Sequence, residues 1–210
     1  MGAAETKTHK SPTEVCKVTG LSNHEKDLIR KSWASFMKNK NENATLLIIN
    51  LFKMSEGAQD LFSKFKGTNP DELKGSIRVR SHGLRVVAAL NSVVENLDDI
   101  ECLLDMLQHI AHSHHPRGPT KKHFQDLGGV VIATFEQSLG KKLTEDVKNA
   151  WVKAYGVILS VIEKEYDVIE GNANEPTVED AEVAKSKEEN KENGEVTKEE
   201  GEGKTGKVEE

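Results

Sequence analysis

The chain has 210 residues, a net charge of −6 and only two cysteines, Cys16 and Cys102. Two cysteines exclude a disulfide framework and fit a reducing, cytoplasmic setting, and no apolar run approaches the roughly 18 residues that a bilayer span needs. From Glu170 onward there are 14 acidic residues against 6 lysines and no aromatic residue, so the acidity belongs to a tail too polar to offset its ordering entropy, and the rest of the chain shows no strongly basic face for a nucleic acid.

The chain begins Met1-Gly2-Ala3-Ala4-Glu5-Thr6. It lacks the apolar core of a signal peptide but fits the N-myristoylation pattern, with Gly2 as the acceptor amine. Residues 1–20 are expected to be flexible. Ser22 with Glu25 three positions later forms a capping box, and Leu28, Ile29, Trp33, Phe36 and Met37 then give the first helix an apolar face. A second helix is expected from Glu42 to Ser55. Between Gly57 and Gly67 the pattern predicts a short helical turn and a loop, whose Leu61, Phe62 and Phe65 are too many apolar residues for a solvated segment.

Pro70, in Asn69-Pro70-Asp71-Glu72, suits the first turn of a helical stretch, and a long helix carrying His82 follows to about Asn96. Asp98 and Asp99 favour the positive end of another helix dipole. His115-Pro116 ends that helix, because the residue before proline avoids helical geometry. Pro119-Thr120 opens a helix bearing Phe124, Leu127, Val131, Phe135 and Leu139, which Gly140 terminates, and Thr144 begins the last, with Trp151, Tyr155, Ile158, Leu159 and Ile162. The expectation is an all-α domain over residues 21–169 with seven to eight helices, flanked by the flexible N-terminal segment and a disordered acidic tail over residues 170–210.

Two histidines stand out from this pattern. His114 lies on the stripe of Leu103, Leu107 and Ile110, and His82 lies close to the stripe of Val79, Val86, Leu90, Val93 and Leu97. Two helices each offering an inward imidazole suggest a buried iron site, since neutral imidazole is a good iron ligand. Of His109, His112, His115 and His123 only His112 and His115 share a helix spacing, and one pair defines no zinc or copper site, so these read as surface residues.

In order, these residues resemble the globin family over nearly the whole of residues 21–168. Ile110-Ala111-His112-Ser113-His114 resembles the end of the family's helix F, and Val79-Arg80-Ser81-His82-Gly83-Leu84-Arg85-Val86-Val87 resembles its helix E. Phe62 matches the aromatic that globins place against haem, and Trp33 and Trp151 match tryptophans of the first and last helices. The Ser81–Val86 string and the candidate acylated glycine are most similar to the globin X branch, with neuroglobins next. Ser55-Glu56-Gly57 departs from the family by lacking a proline before Phe62, and Ala3 stands where globin X members often carry cysteine.

The resemblance implies a globin fold around haem b, with His114 as the proximal iron ligand and His82 as the distal histidine. His82 would either donate a hydrogen bond to a diatomic ligand or ligate the iron itself, and the likeness to globin X and neuroglobin favours ligation. By position, Ile48, Phe52, Phe62, Phe65, Val86, Ile110, Phe124 and Leu127 are expected to wall the pocket, with Arg85 reaching a haem propionate. The function implied is reversible binding of oxygen or another diatomic gas, in transport, storage or redox sensing. No residue pair beyond the distal histidine offers acid or base chemistry, so an enzyme is the less favoured alternative. It would reduce nitrite or dioxygenate nitric oxide with electrons from a donor protein. A third alternative is a haem-based sensor held at the inner face of a membrane through Gly2. One myristoyl chain binds only marginally, so Lys7, Lys10, Lys17 or Cys16 would have to assist.

Overall fold

A computed structural model of the chain describes residues 11–173. Gly2 and the acidic tail beyond residue 173 lie outside the described residues. Contacts divide the chain into two units, Met1–Asp167 and Val168–Glu210. Within the described residues there are six α-helices: α1 (Asn23–Phe36), α2 (Lys40–Met54), α3 (Ile77–Glu95), α4 (Ile100–His114), α5 (Lys121–Leu139) and α6 (Glu145–Ala173). Five short 3₁₀ turns, Ala58–Leu61 and Pro70–Gly75 among them, lie between the helices.

Local signals set the helix ends. The Ser22 backbone N–H donates to the Glu25 carboxylate at 2.6 Å while the Glu25 N–H donates to the Ser22 hydroxyl at 3.2 Å, closing the capping box of α1. Asp99 caps α4 by accepting the Cys102 N–H at 3.1 Å. The α5 helix stops at Gly140, whose φ of 52° suits glycine. The stretch begun by Pro70 is a 3₁₀ turn that ends at Ser76, and the long helix α3 follows it to Glu95.

Two boundaries differ from expectation. Residues 11–20, expected to be flexible, form a turn held to the start of α1: Cys16 N–H donates to Leu21 O at 2.9 Å and Asn23 N–H to Glu14 O at 3.1 Å, with Thr19 buried beneath. Such backbone pairing leaves no apolar periodicity to read. At the other end α6 continues past Val168 to Ala173. Each further residue adds a helical hydrogen bond at little extra cost once a helix exists, so it can outlast its apolar stripe.

The core rests on an aromatic cluster of Trp33, Phe36, Phe135 and Trp151, with Phe135 and Trp151 ring centroids 4.8 Å apart. Its polar edges are satisfied, as buried indoles require: Trp151 Nε1 donates to Ser32 Oγ at 2.9 Å and Trp33 Nε1 to Asn91 Oδ1 at 2.8 Å, tying α1 to α6 and α3. The α2 and α3 helices touch backbone to backbone at Gly83, where a Cβ would lie 2.1 Å from the Ala44 carbonyl oxygen. Asn50 on α2 donates to Thr134 on α5 at 3.0 Å.

The segment that lacks a proline before Phe62 is fixed by side-chain hydrogen bonds. Ser55, 3% exposed, donates its hydroxyl to Asp126 on α5 at 2.8 Å and so pins the end of α2. Gly57 then turns the chain at φ 75°. The Gln59 side chain donates to the carbonyls of Phe65 and Thr68, gathering the loop that presents Phe62.

Candidate functional site

The end of α4 shapes its histidine. His114 Nδ1 lies 2.9 Å from the Ile110 carbonyl oxygen, and Ser113, whose hydroxyl also donates to that carbonyl, sits 3.2 Å from the same nitrogen. A carbonyl only accepts, so Nδ1 carries the proton and Nε2 keeps a free lone pair. A ring nitrogen held in this way fixes the tautomer and orients the other nitrogen for a metal.

Opposite, on α3, the His82 ring stands edge-on to Phe62, centroids 4.9 Å apart. Burial is the main cause that pushes the His82 pKa down, and the charges of His114 and Arg85 add to it. The neutral imidazole, with a lone pair to offer, is thereby favoured.

Both histidines line two cavities of about 190 and 440 Å³. Phe62, Val86, Phe124 and Leu127 also border both, while Arg85 and Ile110 border the larger. Three expected wall residues border neither. Ile48 is fully buried where α2 meets α3 beside Gly83, because the close helix contact closes that face of α2. Phe52 and Phe65 stand behind Phe62, with ring centroids 5.2 and 6.1 Å from it, and act as its backing.

Other residues take the vacated positions. Leu51, one turn after Ile48, borders the smaller cavity with Ala58 and Leu61. Leu90, Val93, Leu107, Tyr155, Ile158 and Ile162 border the larger. Leu90, Val93 and Leu107 fall on the stripes of His82 and His114, so periodicity signals them. Tyr155 donates its hydroxyl to the Phe124 carbonyl at 2.7 Å, and burial raises its pKa far above the usual phenol range. Gly128 makes room for that ring, since a Cβ there would lie 2.7 Å from Tyr155 Cδ1.

Of the other histidines, His112 is exposed and pairs with Glu165 at 2.9 Å, and the ring of His115 meets that of Tyr166. His123, expected on the surface, borders the smaller cavity with Arg117 and Pro119. Its position in the first turn of α5 gives no sequence signal for that inward placement.

A group that suits these walls is flat, largely apolar, able to accept nitrogen ligands on two faces and anionic at an edge. The two imidazoles, the apolar lining, Arg85, Arg117 and the unpartnered Nε2 of His123 fit haem in each respect.

A family model described as Globin matches residues 46–162. A globin from Nerita albicilla is 30% identical over 152 residues, covering 72% of this chain and 97% of that protein. A neuroglobin from Danio rerio is 29% identical, covering 68% of this chain and 90% of its own length. Among solved structures, a hexacoordinated heme protein from an anhydrobiotic tardigrade superposes with a TM-score of 0.66 at 21% identity, covering 70% of this chain and 95% of that one. At that identity the likeness speaks to the fold.

Proposed function

The chain belongs to the globin family, and from that premise we propose that it holds haem b through His114 and reversibly binds a diatomic gas such as oxygen on the His82 side. The observation that carries this reading is the His114 imidazole. Its Nδ1–H is engaged by Ile110 at 2.9 Å and its other nitrogen is left as a ligand, at a cavity that His82 also borders.

Haem supplies a redox-active iron whose affinity for gases depends on what occupies its two axial faces. The residues of this chain do the rest. His114 anchors one face and its backbone hydrogen bond sets the ring orientation. Phe62, Val86, Phe124 and Leu127 would exclude water from the bound group. Arg85 and Arg117 offer positive charge to the carboxylate edge.

We assign His82 as the second residue that would hold haem, its imidazole competing with a gas for that side. Its half-buried, neutral-favouring surroundings support this. The test is the visible absorption spectrum of the purified ferrous protein with and without carbon monoxide. A six-coordinate ferrous spectrum that carbon monoxide converts to its own adduct is expected, and a protein that takes up no haem would overturn the reading.

A further inference from the structure

His123 occupies the third position of α5, where its ring folds back on the residue before the helix. Thr120 donates its backbone N–H to His123 Nδ1 at 3.0 Å, and the Thr120 hydroxyl lies 2.8 Å from the same atom. A nitrogen that accepts an N–H carries no proton of its own, so the neutral ring has its proton on Nε2. The tautomer is therefore set by the cap of α5.

That Nε2 is buried and has no hydrogen-bond partner. A buried donor without an acceptor is costly, and native structures seldom retain one. The side chain borders the smaller cavity with Leu61, Pro119 and Arg117. Arg117 is itself only a donor. A Cβ at Gly57 would have this nitrogen as its nearest neighbour, at 3.9 Å, so Gly57 itself offers it no side chain.

We infer that His123 Nε2–H donates to a carboxylate of haem bound in this cavity, with Arg117 supplying the charge on the same wall. The inference rests on the haem reading above. Haem would be held through its metal by His114 and His82. The carboxylates are the remaining acceptors, and hydrogen bonds to an ionised acceptor are the strong ones. His123 then has two roles joined by its tautomer, since capping α5 through Nδ1 leaves Nε2 as the donor.

The test removes each partner in turn. Full-length apo-protein and its His123→Leu variant are reconstituted with haem b and with haem dimethyl ester, and the rate of cofactor loss to an excess of a haem-scavenging protein is measured. Loss of a charge-assisted hydrogen bond should make the variant release haem b about tenfold faster than the parent, with less than a twofold difference for the ester. Loss of the cap alone would speed release of both cofactors alike, and that result overturns the proposal. So does an unchanged rate with haem b. If the parent takes up neither cofactor, the haem reading fails and this inference fails with it. Uptake of both with equal acceleration removes only the role of His123.

Discussion

The Nδ1 of His114 lies 2.9 Å from the carbonyl oxygen of Ile110, one turn earlier on the same helix. That short-range contact decides the tautomer of a residue that borders both cavities and leaves the lone pair on its Nε2.

Replacing this residue tests the arrangement. His114→Ala should abolish stable haem binding, because it deletes the proposed proximal ligand while leaving the apolar walls in place. The check is absorbance in the Soret region after gel filtration. Bound haem stabilises the folded state by mass action, so the variant should also lose the cofactor-dependent rise in thermal midpoint. A haem spectrum like that of the parent would show that another residue is the ligand.

His82→Leu should keep haem yet turn the ferrous spectrum from six- to five-coordinate and quicken carbon monoxide binding, since an internal competitor is gone. Stopped-flow mixing reads the rate. A parent protein that is already five-coordinate when ferrous would leave His82 as a hydrogen-bond donor only.

Two glycines should respond in opposite senses to the same substitution. Gly83→Ala drives a methyl group to 2.1 Å from the Ala44 carbonyl oxygen and should destabilise the protein by about 3 kcal/mol as α2 and α3 are forced apart. Gly129→Ala meets nothing within 4 Å and should stabilise α5 by roughly 0.5–1 kcal/mol. Urea unfolding of both variants checks the pair, and equal effects would mean that the α2–α3 contact is looser than described.

Asp98 bonds Lys26 and Arg30, each at 2.7 Å, and these partners, Lys26 foremost, hold its pKa down at about 2. A carboxyl with a depressed folded pKa favours folding while it is ionised, so its contribution is present above its ordinary value near 3.8 and is lost as pH falls toward 2. Asp98→Asn should flatten the fall in stability over that window. At neutral pH it should cost about 1 kcal/mol, a figure held down by the exposure of the carboxylate although Lys26 is buried. Thermal midpoints of parent and variant between pH 2 and 7 give the comparison, and parallel curves would overturn it.

Much of this architecture was legible from local chemistry. The capping box at Ser22, the stop at His115-Pro116 and the glycine end at Gly140 are decided within a few residues of chain, and the helical period alone puts His114 and His82 on inward stripes. The N-terminal turn at residues 11–20 was not legible, because it is made of backbone hydrogen bonds that leave no periodic trace.

The cavity walls divide along the same line. A helical stripe specifies which side of a helix is buried, and on α2 it marks Ile48, Leu51 and Phe52 together. Which of these faces the cavity depends on where the next helix crosses. Gly83 lets α3 close onto α2 at Ala44, and that contact covers Ile48 and leaves Leu51 at the cavity. Phe52 and Phe65 pack against Phe62 instead, on a loop whose start at Ser55 is tied to Asp126, 71 residues away. The inward Nε2 of His123 likewise follows from the turn that brings α5 against Gly57. Periodicity is a property of one helix and is written in its residues, whereas the choice among residues on one buried face is made by a second helix, and only the folded chain brings the two together.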